Sequence, residues 1–383
     1  MWFFRSPEVA FGADALSYLS SLDIKKAVIV TDRFLKQSKV IDRVMMNIPK
    51  EAQTMLVADI KPEPTFSEMS ASLSKIIDFS PDWFIAVGGG SSIDTAKVLF
   101  AIYERPDISV YDITPLVKLN LRRKSRLAAI PTTSGTGSEC SWAAVVSEEE
   151  GRKLELASKE IMPDVAILDP SLVVDLPKEQ SRNTAVDAIA HAIEAYTSAW
   201  RNHYSDAFAE KALELILPNL PKVLAQPGNM DAREQIHIGA SMAGLSFSNS
   251  QIGLAHAMGH ALGAVFKLPH GLCVGLYLAS VVEFNSIGAA DRYSRLNKIF
   301  PDEYREKELH LTLRNYFEEM GQPLKVEQAG IDVQRYINSI DRLVDLASES
   351  TGVTTNARDA NSEDIRRIFM QWFEQNYAIE KIW

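Results

Sequence analysis

Three of the chain's seven histidines fall within residues 247–271, FSNSQIGLAHAMGHALGAVFKLPHG: His256 and His260 stand four apart, and His270 lies in a Pro-His-Gly turn. A second four-residue pair, Asp187 and His191, sits in VDAIAHAIEAY. Residues four apart share one face of a helix, so each segment can present two nitrogen or oxygen donors side by side. Neutral imidazole and carboxylate are the usual side-chain ligands of a divalent transition metal, and a metal site is the chemistry these faces point to. Either helix alone reads more readily as one carrying a hydrogen-bonded core or interface histidine; two pairs together with His270 favour the metal. A zincin-type peptidase is excluded, because that motif needs a glutamate directly after its first histidine and Ala257 and Met258 follow His256.

The elements that must position these donors fall into two kinds. The first half alternates short β-branched runs, at 26–31, 54–58, 83–87, 127–130 and 165–168, with amphipathic stretches at 34–46, 65–79 and 92–103. That alternation predicts a parallel sheet covered by helices. From about Ser181 the β-branched runs stop and helical periodicity takes over, for example at 205–217, 231–247, 272–284 and 364–377. The expected architecture is an α/β domain over 1–180 followed by an all-α domain over 181–383. Pro170 and Pro177 punctuate the junction, and Ser181 or Asn183 is expected to cap the helix that carries Asp187 and His191. Residues 106–124 read as a long connection.

Bulk composition narrows the function. With 383 residues, 46% hydrophobic and 23% charged, the chain can bury the cores of two domains. Its formal charge of −10 and its short basic clusters, Arg122-Arg123-Lys124 and Lys25-Lys26, leave no footprint for a phosphate backbone, so no nucleic-acid partner is expected. Cys140 and Cys273 are too few for a disulfide framework. The apolar start MWFF is broken by Arg5 and Pro7, far short of a signal core or a membrane span, so a cytoplasmic protein without membrane association is expected.

Two glycine-rich loops complete the chemistry. VGGGSSIDTAK, residues 87–97, sits where a strand hands over to a helix, and the free N–H groups of a helix N-terminus suit a pyrophosphate. A tight strand-to-helix turn has the same composition. The loop is not the Rossmann fingerprint, which follows the first strand and has its acidic residue about 20 positions later, whereas here the glycines follow a later strand. The acidic candidate lies upstream: Asp32, ending the first convincing strand, could accept from an adenosine ribose and repel a 2′-phosphate, favouring NAD over NADP, while also capping the next helix. PTTSGTGSE, residues 131–139, follows the strand LAAI and offers hydroxyls and glycines for polar cofactor atoms.

Taken together, GGGSSIDTAK, PTTSGTGSE, DAIAHAIEAY and GLAHAMGHALGAVFKLPHG resemble the iron-containing alcohol dehydrogenase family, in order and spacing over essentially the whole chain, and TTNARDANSEDI resembles its C-terminal signature. The resemblance implies a dehydroquinate synthase-like fold, an N-terminal dinucleotide-binding α/β domain and a C-terminal helical domain with the active site between them. It implies Asp187, His191, His256 and His270 as metal ligands, with His260 a second active-site histidine outside the ligand set. Asp32, Gly89, Gly90, Ser91, Asp94, Thr132, Thr133, Thr136 and Lys153 fall on positions that contact NAD(P) in similar proteins. Phe247 matches a position that narrows the substrate pocket, with Trp142 and Ala143 where other pocket residues come. A homodimer is implied by the family alone.

The expected chemistry follows. One carboxylate and three neutral imidazoles around Fe²⁺ or Zn²⁺ leave a net charge of about +1, suited to an alkoxide that passes hydride to C4 of the nicotinamide. His260 is the candidate proton relay. The apolar pocket residues predict a small primary alcohol or aldehyde and no acidic substrate. Rival readings are a glycerol or polyol dehydrogenase, or a cyclase, of the same fold, and a non-redox metal hydrolase or a silent binding protein.

Overall fold

Short runs with apolar residues on both faces become the six strands of one all-parallel sheet. The strands are β1 (Glu8–Phe11), β2 (Lys26–Asp32), β3 (Gln53–Ile60), β4 (Trp83–Gly88), β5 (Arg126–Pro131) and β8 (Val165–Leu168), in the spatial order β1-β8-β5-β4-β2-β3. These coordinates are a computed structural model that describes residues 3–60, 65–148 and 153–376. Along each central strand, side chains alternate between two buried layers: Val28, Phe84, Ala86, Leu127 and Ala129 on one face, Ile29, Ile85, Val87, Ala128 and Ile130 on the other. Burial on both faces is why these strands read as continuous apolar runs.

The strand order places a topological switch between β2 and β4, because the chain leaves β2 toward β3 on one side and returns to β4 on the other. Ligands of open parallel sheets bind outside the carboxyl ends of the strands at such a point. β2 ends in Asp32, and β4 ends in Gly88, which pairs in register with Pro131 of β5. The two glycine loops therefore leave the sheet side by side. Gly88 makes the first turn at φ 148°, and a Cβ there would lie 2.6 Å from Ser92 Oγ.

The second half is helical throughout its described residues. The Asp187 helix (Lys178–Thr197) is buried on nearly every side and packs among helices His203–Ile216, Met230–Ser248 and His270–Asn297. Its small, evenly apolar surface, AVDAIAHAIEA, fits a helix enclosed all round. His270–Asn297 is long and apolar enough to cross a membrane by length and composition, but most of its apolar stretch is buried inside this bundle.

Several expected boundaries shift. The helix expected over 34–46 divides into Arg33–Lys36 and Lys39–Asn47, because Ser38 caps the second by accepting from Val40 N. The one expected over 65–79 divides into Phe66–Ser70, opened by a capping box between Thr65 and Glu68, and Leu73–Phe79. Neither Ser181 nor Asn183 caps the Asp187 helix, which opens at Lys178 after Pro177. Ser181 Oγ instead donates to Leu176 O and accepts from Arg233 Nη1. His270 is not in a turn but is the first residue of a 28-residue helix, where Pro269 supplies the extended entry. Strand β1 and an antiparallel hairpin, β6 (Ala143–Ser147) with β7 (Lys153–Ala157), have no counterpart among the expected strands. β1 gains its place only by pairing with β8, more than 150 residues away in sequence.

Candidate metal centre and nucleotide cleft

The Asp187 helix sets Asp187, His191 and Glu194 on one inward face, at spacings of four and three. Opposite it, the helix Leu254–Phe266 carries His256 and His260, and the helix starting at His270 brings its first residue to the same point. The approach is permitted by Gly271, where a Cβ would lie 2.0 Å from the backbone oxygen of Asn183. Any larger side chain would hold the His270 helix off the Asp187 helix.

Donor atoms of Asp187, His256 and His270 lie within 4.8 Å of one another. His270 Nε2 is 3.1 Å and His256 Nε2 3.6 Å from Asp187 Oδ1. Yet Asp187 Oδ1 and His256 Nε2 are buried without a hydrogen-bond partner among the described residues, as is His191 Nδ1. Buried polar atoms are almost always partnered, so donors that converge without bonding one another fit a cation. His191 stands beside this cluster: its Nδ1 is 3.9 Å from Asp187 Oδ2, and its ring stacks between Phe247 and His256 at centroid distances of 4.4 and 4.2 Å.

The electrostatics are those of a cation site. Burial alone would raise the Asp187 carboxyl, but the facing imidazoles of His270 and His191 outweigh it and hold it well below the usual range. Burial, reinforced by His256, pushes His191 well down, which keeps it neutral and able to ligate. At His256, burial is overcome by Glu194 and Asp187, whose negative charge lifts the ring to about 9. The same field favours a metal ion at Nε2.

Glu194 supports this arrangement from beneath and is absent from the sequence-derived set. It accepts from His256 Nδ1 at 2.5 Å and from the backbone N–H groups of Gly253 and Ala255 at 3.0 and 2.6 Å. The helix Leu254–Phe266 has no side-chain cap of its own. Glu194 takes two of the N–H groups at its start, Asn356 Oδ1 accepting from Leu254 N between them, while fixing the ring that would ligate, the outer-shell role common to metal-binding histidines. Its signal was present: 187, 191 and 194 are the i, i+4, i+7 positions of one helix face.

These donors open on a cleft of about 850 Å³ between the sheet and the helical half. Phe247, which stacks on His191, lines it together with Trp142, Ala143, Gly90, Ser91, Asp94, Thr136 and Lys153. Gly89, Thr132, Thr133 and Asp32 are not on its surface. Among the described residues their contacts are local: Thr132 N donates to Gly88 O, a Cβ on Gly89 would touch Thr133, and Asp32 Oδ1 accepts from Leu35 N at 2.8 Å as a helix cap. Asp94 is occupied by the chain itself, accepting from Ser138 Oγ and from Val145 N. Below it the buried Lys97 Nζ donates to Ser138 Oγ, Ser141 Oγ and Ala143 O, tying the two glycine loops to β6.

His260 lies outside the donor cluster, its ring centroid 5.0 Å from that of His270. Its Nδ1 is 3.2 Å from Glu155 Oε1 on β7, a residue no local sequence pattern singles out. Burial lowers His260, against the opposing pull of Glu155; at Glu155 the cost of burial is outweighed by His260, Thr351 and Ser350, which bring the carboxyl to about 2.

Comparison with known proteins gives the chain's family. Over 372 residues the chain is 34% identical to an NADPH-dependent butanol dehydrogenase of Clostridium saccharobutylicum, covering 94% of this chain and 95% of that protein. It is 32% identical to the 1-propanol dehydrogenase PduQ of Salmonella typhimurium, over 93% and 95% of the two chains. The crystal structure of an iron-containing alcohol dehydrogenase from Thermococcus thioreducens superposes with a TM-score of 0.89 at 29% identity, covering 98% of this chain and 100% of that one. Residues 6–170 match the family Iron-containing alcohol dehydrogenase, and residues 181–373 match Fe-containing alcohol dehydrogenase family, C-terminal. The chain is therefore a member of the iron-containing alcohol dehydrogenase family, an oxidoreductase with that family's two-part fold.

Proposed function

We propose that this enzyme exchanges hydride between NAD(H) and a small primary alcohol or aldehyde, with residues 1–180 holding the dinucleotide and residues 181–383 holding a divalent iron or zinc ion. The observation that carries the reading is the cluster of unpartnered buried donors, Asp187 Oδ1 and His256 Nε2 with His270 beside them, opening on the cleft that the glycine loops also line. His191, neutral and unpartnered at Nδ1, is the fourth ligand. The bound ion supplies a Lewis acid for the substrate oxygen, and the bound nicotinamide supplies the hydride acceptor.

The chain's own residues do the rest. Gly90, Ser91 and the helix that follows present N–H groups to the diphosphate, with Thr132, Thr133 and Gly89 shaping the loops. Asp32 accepts from the adenosine ribose and disfavours a 2′-phosphate. Phe247, Trp142 and Ala143 give the substrate an apolar wall; the named substrates of the two relatives, propanol and butanol, support a short primary alcohol. When the alcohol is oxidised, its carbinol hydrogen leaves as hydride with both electrons, and its hydroxyl proton passes to His260 Nε2. Aldehyde reduction returns the same proton.

A cofactor-resolved screen on metal-analysed protein tests the reading: NADH and NADPH with a panel of aldehydes, and NAD with short alcohols and with glycerol. Aldehyde-dependent NADH oxidation with about one iron or zinc per chain is expected, and His256→Ala should lose both metal and turnover. Retention of both by His256→Ala, or a preference for glycerol, would reject it.

A further inference from the structure

Glu155 lies on the hairpin that the first half of the chain sends over the cleft, yet among the described residues every partner of its carboxylate belongs to the helical half. Oε1 accepts from His260 Nδ1 at 3.2 Å and from Ser350 Oγ at 2.9 Å; Oε2 accepts from Thr351 Oγ1 at 2.8 Å and Thr351 N at 3.3 Å. Both oxygens are thus saturated, and the carboxylate is three-quarters buried. An ionised carboxylate only accepts hydrogen bonds, so the hydrogen of a neutral His260 must sit on Nδ1 and its lone pair on Nε2. His260 Nε2 has no partner among the described residues, and the ring lines the cleft beside His270. Free histidine prefers the opposite tautomer, with hydrogen on Nε2, so this arrangement has to be imposed.

We propose that Glu155 is a positioning residue: from across the cleft it fixes the His260 ring with its hydrogen on Nδ1, leaving Nε2 as the nitrogen that takes and returns the substrate proton. The inference rests on the reading of His260 as the proton relay. A carboxylate that merely tied the two halves together would leave the His260 tautomer indifferent to its removal, and this separates the two roles.

The test is nitrogen-15 NMR of histidine-labelled protein, with and without added Zn²⁺, which is diamagnetic, read beside steady-state kinetics. In the wild type, His260 is expected as the Nδ1–H tautomer. Glu155→Gln, whose amide oxygen can still accept, should keep that tautomer and lose no more than about fivefold in kcat. Glu155→Leu should turn His260 to Nε2–H and lower kcat by about 10²-fold, the scale of a lost general acid–base contribution, with KM for the aldehyde changed less than about threefold. An Nε2–H signal in the wild type, or an unchanged tautomer in folded Glu155→Leu, overturns the proposal whatever the activity. If Glu155→Leu does not fold, the wild-type and Glu155→Gln spectra decide it in the same way. Absence of hydride transfer in the wild type would reject the proposed function and leave the tautomer measurement standing.

Discussion

Glu194→Gln keeps the shape of the residue beneath His256 but removes half of its accepting capacity. Three donors converge on the carboxylate: Gly253 N and His256 Nδ1 on Oε2, and Ala255 N on Oε1. A glutamine turned to satisfy the first two points its own NH₂ at Ala255 N–H, leaving a buried donor unpaired at a cost of about 1–3 kcal/mol. Against a total stability of about 5–15 kcal/mol the fold should survive. Metal binding should suffer separately, because an amide does not raise the basicity of His256 as a carboxylate does; loss of such an outer partner weakens metal affinity about 10–100-fold, or about 1.4–2.7 kcal/mol. The assay is competition between the apoprotein and a chromophoric chelator, with urea unfolding on the same samples. A folded Glu194→Gln protein whose metal affinity lies within about twofold of wild type would refute the reasoning. Glu194→Ala strands all three donors and should also lower the urea midpoint well below that of the glutamine variant.

Three further outcomes are expected. Asp32→Gly should raise the ratio of kcat/KM for NADPH to that for NADH by at least about tenfold, while loss of the cap to Leu35 lowers stability by only a few tenths of a kcal/mol; equal use of both coenzymes by the wild type would remove Asp32 from the argument. Gly271→Ala forces a Cβ against Asn183 O, and should lower thermal stability together with metal stoichiometry, read by melting with and without added metal. His237 is buried against the second glycine loop, with Nδ1 2.9 Å from Ser134 Oγ, and burial lowers it to about 4. Its native pKa is below the unfolded one, so its contribution is complete above about 6.5 and is lost as pH falls toward 4; at pH 5 the loss is about 2 kcal/mol. His237→Gln should therefore flatten the decline in urea stability between pH 7 and 5, and an unchanged slope would count against it.

Much of this protein is legible in local patterns. The sheet strands at 83–88, 126–131 and 165–168 were readable because burial on both faces leaves unbroken apolar runs. The short strand Glu8–Phe11 and the hairpin Ala143–Ser147 with Lys153–Ala157 were not, since each is stabilised by a partner strand and not by its own composition. Helix ends shifted wherever a single cap decided them, as Ser38 and Pro177 do.

The candidate site divides along the same line. By itself the sequence determined which donors share a helix face, Asp187 with His191 and His256 with His260, because a period of 3.6 residues makes that a local property. It determined also that two glycine loops follow strands. Only the tertiary structure decided that His270 meets Asp187 across the gap Gly271 leaves, that His191 rests between Phe247 and His256, and that Glu155 reaches His260 from 105 residues away. Those contacts depend on how closely whole helices and a hairpin approach one another, a distance fixed by packing between segments far apart in the chain and carried by no local period.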